Sequence, residues 1–420
     1  MLLTRRHLLG LGAGALAFPT CALAAPSAST RRFVFIHCVG GWDAPFVFAP
    51  ELLGKVDHEA EATASEAMGL PFVDHPDRST VRNFFQTYGD RCAILNGMEV
   101  PSITHERCRR IALTGFGDGA YDDWPSILAA NSADSLLLPH LVMAGSAFNA
   151  KYGDQVVRVG DNGQLPKLLS GQVLTERDQG VITPSSEAME DAYLAQRLGT
   201  LAEQAATPAE ADFYTRYNTA LQAQARLRAL GSDLDLDPNS VGCERDIGAD
   251  AATIFDCFER GLTRCGMIAY QGWCAEGWDN HQQITRQSLH FGEFFAYLNR
   301  IMEDLDGRTA FEGGPLRDQV TFVLFSEMGR APTLNLYGGK DHWTTASAML
   351  IGAGIRGGHA FGALDDQARG TKIDLSTGQA SSSGDTFGAK NLGATLLALG
   401  DVDPERYIQS APLTAVMEGF

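Results

Sequence analysis

Apolar positions along this chain fall into two kinds of pattern. Residues 33–39 and 320–325 are near-continuous apolar runs, the mark of parallel strands covered on both faces. Shorter runs at 92–95, 136–144, 156–159 and 267–270 predict further strands, the first of them closed by Asn96-Gly97. Another apolar run, 346–355, follows His342. Between these lie segments with helical spacing: 81–88, a helix entered from a loop within 101–115 with Thr104 as N-cap, 249–264, the amphipathic 290–305, and 392–399. Residues 51–80 are polar and read as loop and short helix. Residues 187–230 are rich in Ala, Glu, Gln, Leu and Arg and predict two or more helices, part of a mostly helical excursion over about 185–245 that includes the acidic linker 231–238. Strands alternating with helices predict an α/β fold, with a mainly parallel central sheet, helices on both faces and a helical insertion, forming a single domain over 25–420. Gly352, Gly354, Gly357 and Gly358 follow a strand but lack the GxGxxG spacing, so a dinucleotide fingerprint is rejected.

The first 24 residues read as an address. Thr4-Arg5-Arg6-His7-Leu8-Leu9 is a twin-arginine pattern, followed by an apolar stretch at 8–18 and the small-residue site Ala22-Leu23-Ala24. That stretch is too short to span a bilayer, and no second candidate span follows. The expectation is a signal peptide cleaved near Ala24 and a periplasmic or secreted mature protein. Its removal takes Arg5 and Arg6, leaving 31 basic against 51 acidic residues, a net charge of −20. A surface that acidic argues against nucleic acid and against anionic membranes as partners. Seven cysteines remain once Cys21 is lost, an odd number, and none forms a CxxC pair.

The candidate chemistry sits where predicted strands end. Asp43 follows the run 33–39, His105 stands at a helix start, Asp279 and His281 follow 267–270, and Glu327, Asp341 and His342 follow 320–325. In open α/β sheets ligands bind beyond the carboxyl ends of strands. Carboxylates mixed with imidazoles suit one or two divalent ions: Zn, Mn, Fe or Mg. Arg330 either binds an anionic substrate oxygen or pairs with Glu327, and Lys340 reads as a solvated loop charge. Trp42, Trp278 and Trp343 flank these positions and either wall a pocket or pack beneath the loops.

Gly-Gly-Trp-Asp at 40–43, Gly-Trp-Asp-Asn-His at 277–281, Ser-Glu-Met-Gly-Arg at 326–330, Asp341-His342 and the twin-arginine leader together resemble the bacterial exported family filed as domain of unknown function 1501. That family in turn resembles the alkaline phosphatase and sulfatase superfamily. The resemblance implies an early metal-binding role for Asp43 and one metal site built by Asp279, His281 and His342. It sets Glu327 where an aspartate of a second metal site is expected. The helix ending in Thr114-Gly115 is similar to the superfamily's nucleophile helix, but the nucleophile position falls on His105 with Thr104 beside it, and Met328 replaces a second-site histidine. Three outcomes stay open: His105 supplies the missing imidazole and metal-activated water attacks, Thr104 attacks, or the pocket only binds. The leading expectation is an exported metal-dependent hydrolase of a phosphate or sulfate ester, acting on a small anionic substrate. The alternative is a non-catalytic periplasmic metal-binding or assembly protein acting with an exported protein partner.

Overall fold

A computed structural model describes residues 30–159, 183–230, 240–241 and 244–419. The leader, the linker 231–238 and Cys243 lie outside the described residues. Eight strands form the central sheet: β1 Arg32–Cys38, β2 Cys92–Glu99, β3 His140–Val142, β4 Val156–Arg158, β5 Cys265–Tyr270, β6 Val320–Ser326, β7 Thr345–Gly352 and β8 His359–Phe361. Their order across the sheet is β8-β2-β7-β6-β1-β5-β3-β4. Strand β7 runs antiparallel to β6 and β2, and every other neighbouring pair is parallel.

The central strand β1 shows why the apolar runs are continuous. All seven of its residues are buried. Val34, Ile36 and Cys38 enter one core, while Phe33 and Phe35 enter the other, as alternation across a strand requires. The first core is closed by helices α1 Ser79–Tyr88, α6 Ile247–Glu259 and α7 Arg286–Asp306, through Phe84, Phe255 and Phe291. The second is closed by α2 His105–Thr114, α3 Trp124–Ala130 and α8 Ala389–Leu399, through Ile111, Leu128 and Leu396. A sheet covered on both faces leaves its strands no polar side, and the α/β expectation holds. Helices α4 Pro184–Glu203 and α5 Pro208–Leu230 pair with each other and form the helical excursion. Among the described residues no helix is long and apolar enough to cross a membrane.

Three local expectations need correcting. Residues 63–74 are an antiparallel hairpin, Thr63–Ala67 against Leu70–Asp74, not loop and short helix. Its turn is Met68-Gly69, both at positive φ (53° and 82°), the geometry a tight hairpin needs. The outer strand is largely exposed and polar, so it carries no apolar signal. Strand β2 does not close at Asn96-Gly97 but continues to Glu99. Its pairing with β7 shifts register between Ala346 and Ala348, and Gly97 at φ +77° absorbs the extra residue there. The third strand is also shorter than the run 136–144, covering only His140–Val142.

Candidate metal centre

The carboxyl ends of the parallel neighbours β1, β5 and β6 meet at one edge, where the segments carrying the candidate residues converge. Strand β1 leaves through Gly40, whose φ is +122° and whose position would put a Cβ only 2.6 Å from the backbone N of Asp279. Only glycine lets the two segments approach this closely.

Three imidazoles surround the Asp279 carboxylate. His342 Nε2 lies 3.0 Å and His281 Nε2 3.1 Å from Oδ1, and His105 Nε2 lies 3.2 Å from Oδ2. Ligand atoms of His105, Asp279 and His342 all fall within 4.8 Å of one another. Behind each ring stands an oxygen facing Nδ1. Glu327 Oε1 is 2.9 Å from His105, Asp341 Oδ1 is 3.0 Å from His281, and the carbonyl of Ile103 is 2.7 Å from His342. A carbonyl only accepts, and so does an ionised carboxylate, so all three Nδ1 atoms carry hydrogen and all three Nε2 lone pairs turn inward. His281 Nε2 and His342 Nε2 are then 3.0 Å apart. Two neutral rings cannot hold that contact, because lone pair faces lone pair. A proton or a metal cation must occupy the cluster, and a carboxylate ringed by imidazole nitrogens suits a divalent cation.

Electrostatics favour a proton on His105. Hydrogen bonds to Asp279 and Glu327 raise the His105 pKa to about 9, against the opposing effect of burial. Burial pushes the Asp279 carboxyl up, but His105, His342 and Arg330 together hold it well below the usual carboxylate range. His105 is also the first residue of α2, where free N–H groups and the helix dipole favour an anion.

The remaining candidates are placed around this cluster, not in it. Glu327 is buried, and its carboxylate takes hydrogen bonds from the Gly40 N–H at 3.0 Å and from His37 Nε2 at 2.9 Å as well as from His105. Burial works against its ionised form, yet His37, His105 and the Gly40 N–H keep its pKa well below normal. Asp341 is exposed and supports His281. Asp43 sits apart and buried, its Oδ2 ion-paired with Lys340 Nζ at 2.7 Å. Lys340 is therefore not a solvated loop charge; it is buried under the loop, with Nζ 5.4 Å from the centre of the Phe46 ring.

Arg330 meets neither a free surface nor Glu327. It is buried, donating to the carbonyls of Gly41 (2.8 Å), Trp278 (3.1 Å), Lys340 (3.2 Å) and Gly40, and to Asp279 Oδ1 at 2.7 Å. It ties the strand ends together and orients Asp279. Thr104 is exposed at the N-cap of α2 and makes no side-chain capping bond. It lines a surface cavity with Arg107, Arg110 and the glycines at 117 and 119. Trp42 and Trp278 pack edge-to-face in the core, 6.2 Å apart, and Trp343 Nε1 donates to the Ala368 carbonyl, so all three support loops.

His37 is the residue that sequence reasoning missed. It is buried at the end of β1, stacked 4.9 Å from the Phe325 ring, and joins the chain His37–Glu327–His105–Asp279. Its signal was a lone titratable side chain inside an otherwise apolar strand.

A family model described as a protein of unknown function (DUF1501) matches residues 30–410. No curated protein matches the sequence. Among solved structures, Ps i-CgsB in complex with k-i-k-neocarrahexaose is similar over 91% of this chain and 75% of its own, at 10% identity and a TM-score of 0.42. A protein in the alkaline phosphatase superfamily from Vibrio parahaemolyticus is similar over 90% of this chain and 71% of its own, at 10% identity and a TM-score of 0.36. The PsFucS1 sulfatase from Pseudoalteromonas sp. is similar over 93% and 70%, at 10% identity and a TM-score of 0.35. Likeness of that degree assigns no activity.

Proposed function

The chain belongs to the DUF1501 family, and from its site we propose an exported metal-dependent hydrolase of a phosphate or sulfate ester. One observation carries the reading: three imidazole Nε2 atoms and the Asp279 carboxylate face one another, with the His281 and His342 nitrogens 3.0 Å apart. His105, Asp279, His281 and His342 would hold a divalent cation, Zn, Mn, Fe or Mg. When bound, such an ion polarises the ester's anionic oxygen and raises the acidity of water.

The chain's own residues do the rest. Glu327, Asp341 and the Ile103 carbonyl keep the three rings in the Nδ1–H form, so each Nε2 is available. Arg330 holds the Asp279 carboxylate against rotation. The N-terminus of α2 offers dipole and N–H groups to the substrate anion. Thr104, standing with the arginines of α2 and not with the imidazoles, is not assigned as nucleophile. The twin-arginine pattern at residues 4–9 supports export to the periplasm or beyond.

Turnover of aryl phosphates and aryl sulfates with each added metal tests the reading. Metal-dependent hydrolysis that is lost in His105→Ala and kept in Thr104→Val is expected. Activity lost in Thr104→Val and kept in His105→Ala would point to the Thr104 mechanism. No turnover with any metal or ester would favour the non-catalytic, partner-binding alternative.

A further inference from the structure

Apolar side chains stand on the rim of the imidazole cluster with nothing covering them. Leu336 is 100% exposed, Tyr337 74% and Ile103 58%. Scattered exposed apolar residues are ordinary, but these three are built onto the site. The turn carrying Leu336 and Tyr337 is anchored by Asn335, whose Nδ2 donates to the His281 carbonyl at 3.1 Å and to Asp341 Oδ1 at 3.0 Å. Asn335 Oδ1 accepts from the N–H groups of Tyr337 (2.9 Å) and Gly339 (3.2 Å), and its own N–H donates to the Gly339 carbonyl at 2.8 Å. These bonds tie the turn to the segments that carry His281 and Asp341. From the other side, Ile103 gives its carbonyl to His342 Nδ1 while its side chain faces solvent. Apolar residues from two distant segments thus stand near the His281–His342 pair: Ile103 is one hydrogen bond from His342, and Leu336 and Tyr337 follow Asn335, which bonds the His281 carbonyl and Asp341.

Resting on the hydrolase reading above, we infer that the site takes an amphiphilic monoester. The phosphate or sulfate lies at the Asp279 cluster, and an alkyl or aryl alcohol part lies against Ile103, Leu336 and Tyr337. In the reaction a water oxygen bonds to phosphorus or sulfur. The ester bond breaks with its electron pair on the alcohol oxygen, and that oxygen takes up the proton the attacking water gives up, so the apolar alcohol leaves neutral. A sugar ester fits this rim poorly, since its hydroxyls would lose water to Leu and Ile side chains that offer them no hydrogen bonds in return. The alcohol part of an alkyl ester gains from every methylene it covers.

The test is calorimetric titration of the full-length mature protein, supplied with divalent metal, using methylphosphonate and octylphosphonate below its micelle concentration. Neither probe can be hydrolysed. The octyl probe is expected to bind at least about tenfold more tightly than the methyl probe, and the Leu336→Ser/Tyr337→Ser variant is expected to lose that difference. Equal affinities in the parent, or a preference that survives in the double variant, overturns the inference. If neither phosphonate binds with or without metal, it is the hydrolase reading that fails. Equal phosphonate affinities with rim-dependent binding to anionic phospholipid vesicles overturn the inference in favour of a lipid surface.

Discussion

Substituting Lys340 by Met breaks the buried ion pair beneath the candidate centre. Lys340 Nζ is 2.7 Å from Asp43 Oδ2, and both residues are buried. The nearby Arg78 is already committed to Glu59 and to the Phe46 carbonyl, so it cannot replace the lost ammonium without abandoning them. Removing one partner of a buried pair typically costs about 3–5 kcal/mol, whereas replacing both by apolar groups is often near neutral. Guanidinium unfolding followed by tryptophan fluorescence measures this directly, because Trp42 and Trp278 lie in the core. Lys340→Met is expected to lose about 3–4 kcal/mol, while Asp43→Leu/Lys340→Met loses under about 1.5 kcal/mol. Metal content of the double variant should match the parent, since Asp43 stands outside the cluster. A single variant within about 1 kcal/mol of the parent, or a double variant no better than the single, would refute the reasoning. Metal lost with Asp43 would return that residue to the ligand set.

Other outcomes follow from the same geometry. Glu327→Gln removes the charge that orients His105, and metal affinity by chelator competition should fall about 10- to 100-fold. Gly40→Ala forces a Cβ against the Asp279 backbone at a φ of +122°; the protein should lose about 1–3 kcal/mol and bind metal more weakly, and an unchanged variant refutes the close approach. His140 is buried and its pKa is pressed down to about 3 by burial and by Arg158. The ring stays neutral in the fold while the unfolded chain takes up a proton below about pH 6.5, so its contribution is lost as pH falls. The stability difference between parent and His140→Gln should therefore shift against the parent by about 1.4 kcal/mol per pH unit between pH 6.5 and 4, and a difference independent of pH contradicts it.

Strand cores were legible because burial on both faces writes an unbroken apolar run, as in 33–38 and 320–325. The clustered part of the site was legible because Asp279-x-His281 and Asp341-His342 put ligand-type residues in the loops that follow strands sharing one edge. The hairpin at 63–74 was not, because an exposed strand needs no apolar side and its Met68-Gly69 turn lacks the usual Asn-Gly mark. Lys340 and Arg330 misled for another reason: a charged residue in a loop reads as solvated unless the partner that buries it is known. Asp43 lies 297 positions from Lys340 in sequence, and Arg330 spends its donors on backbone carbonyls that no composition reveals. His37 was hidden by its apolar neighbours, and Glu327, placed correctly at the strand end, was read as a ligand when the structure sets it behind His105.

The most direct test of the account is the metal content of protein purified after export by its own leader, measured by mass spectrometry beside an Asp279→Ala variant whose fold is checked by circular dichroism. The account predicts near-stoichiometric divalent metal in the parent and its loss from the folded variant. Metal absent from the parent even after reconstitution, or equal in both proteins, would contradict it and leave the three imidazoles and Asp279 as a polar network.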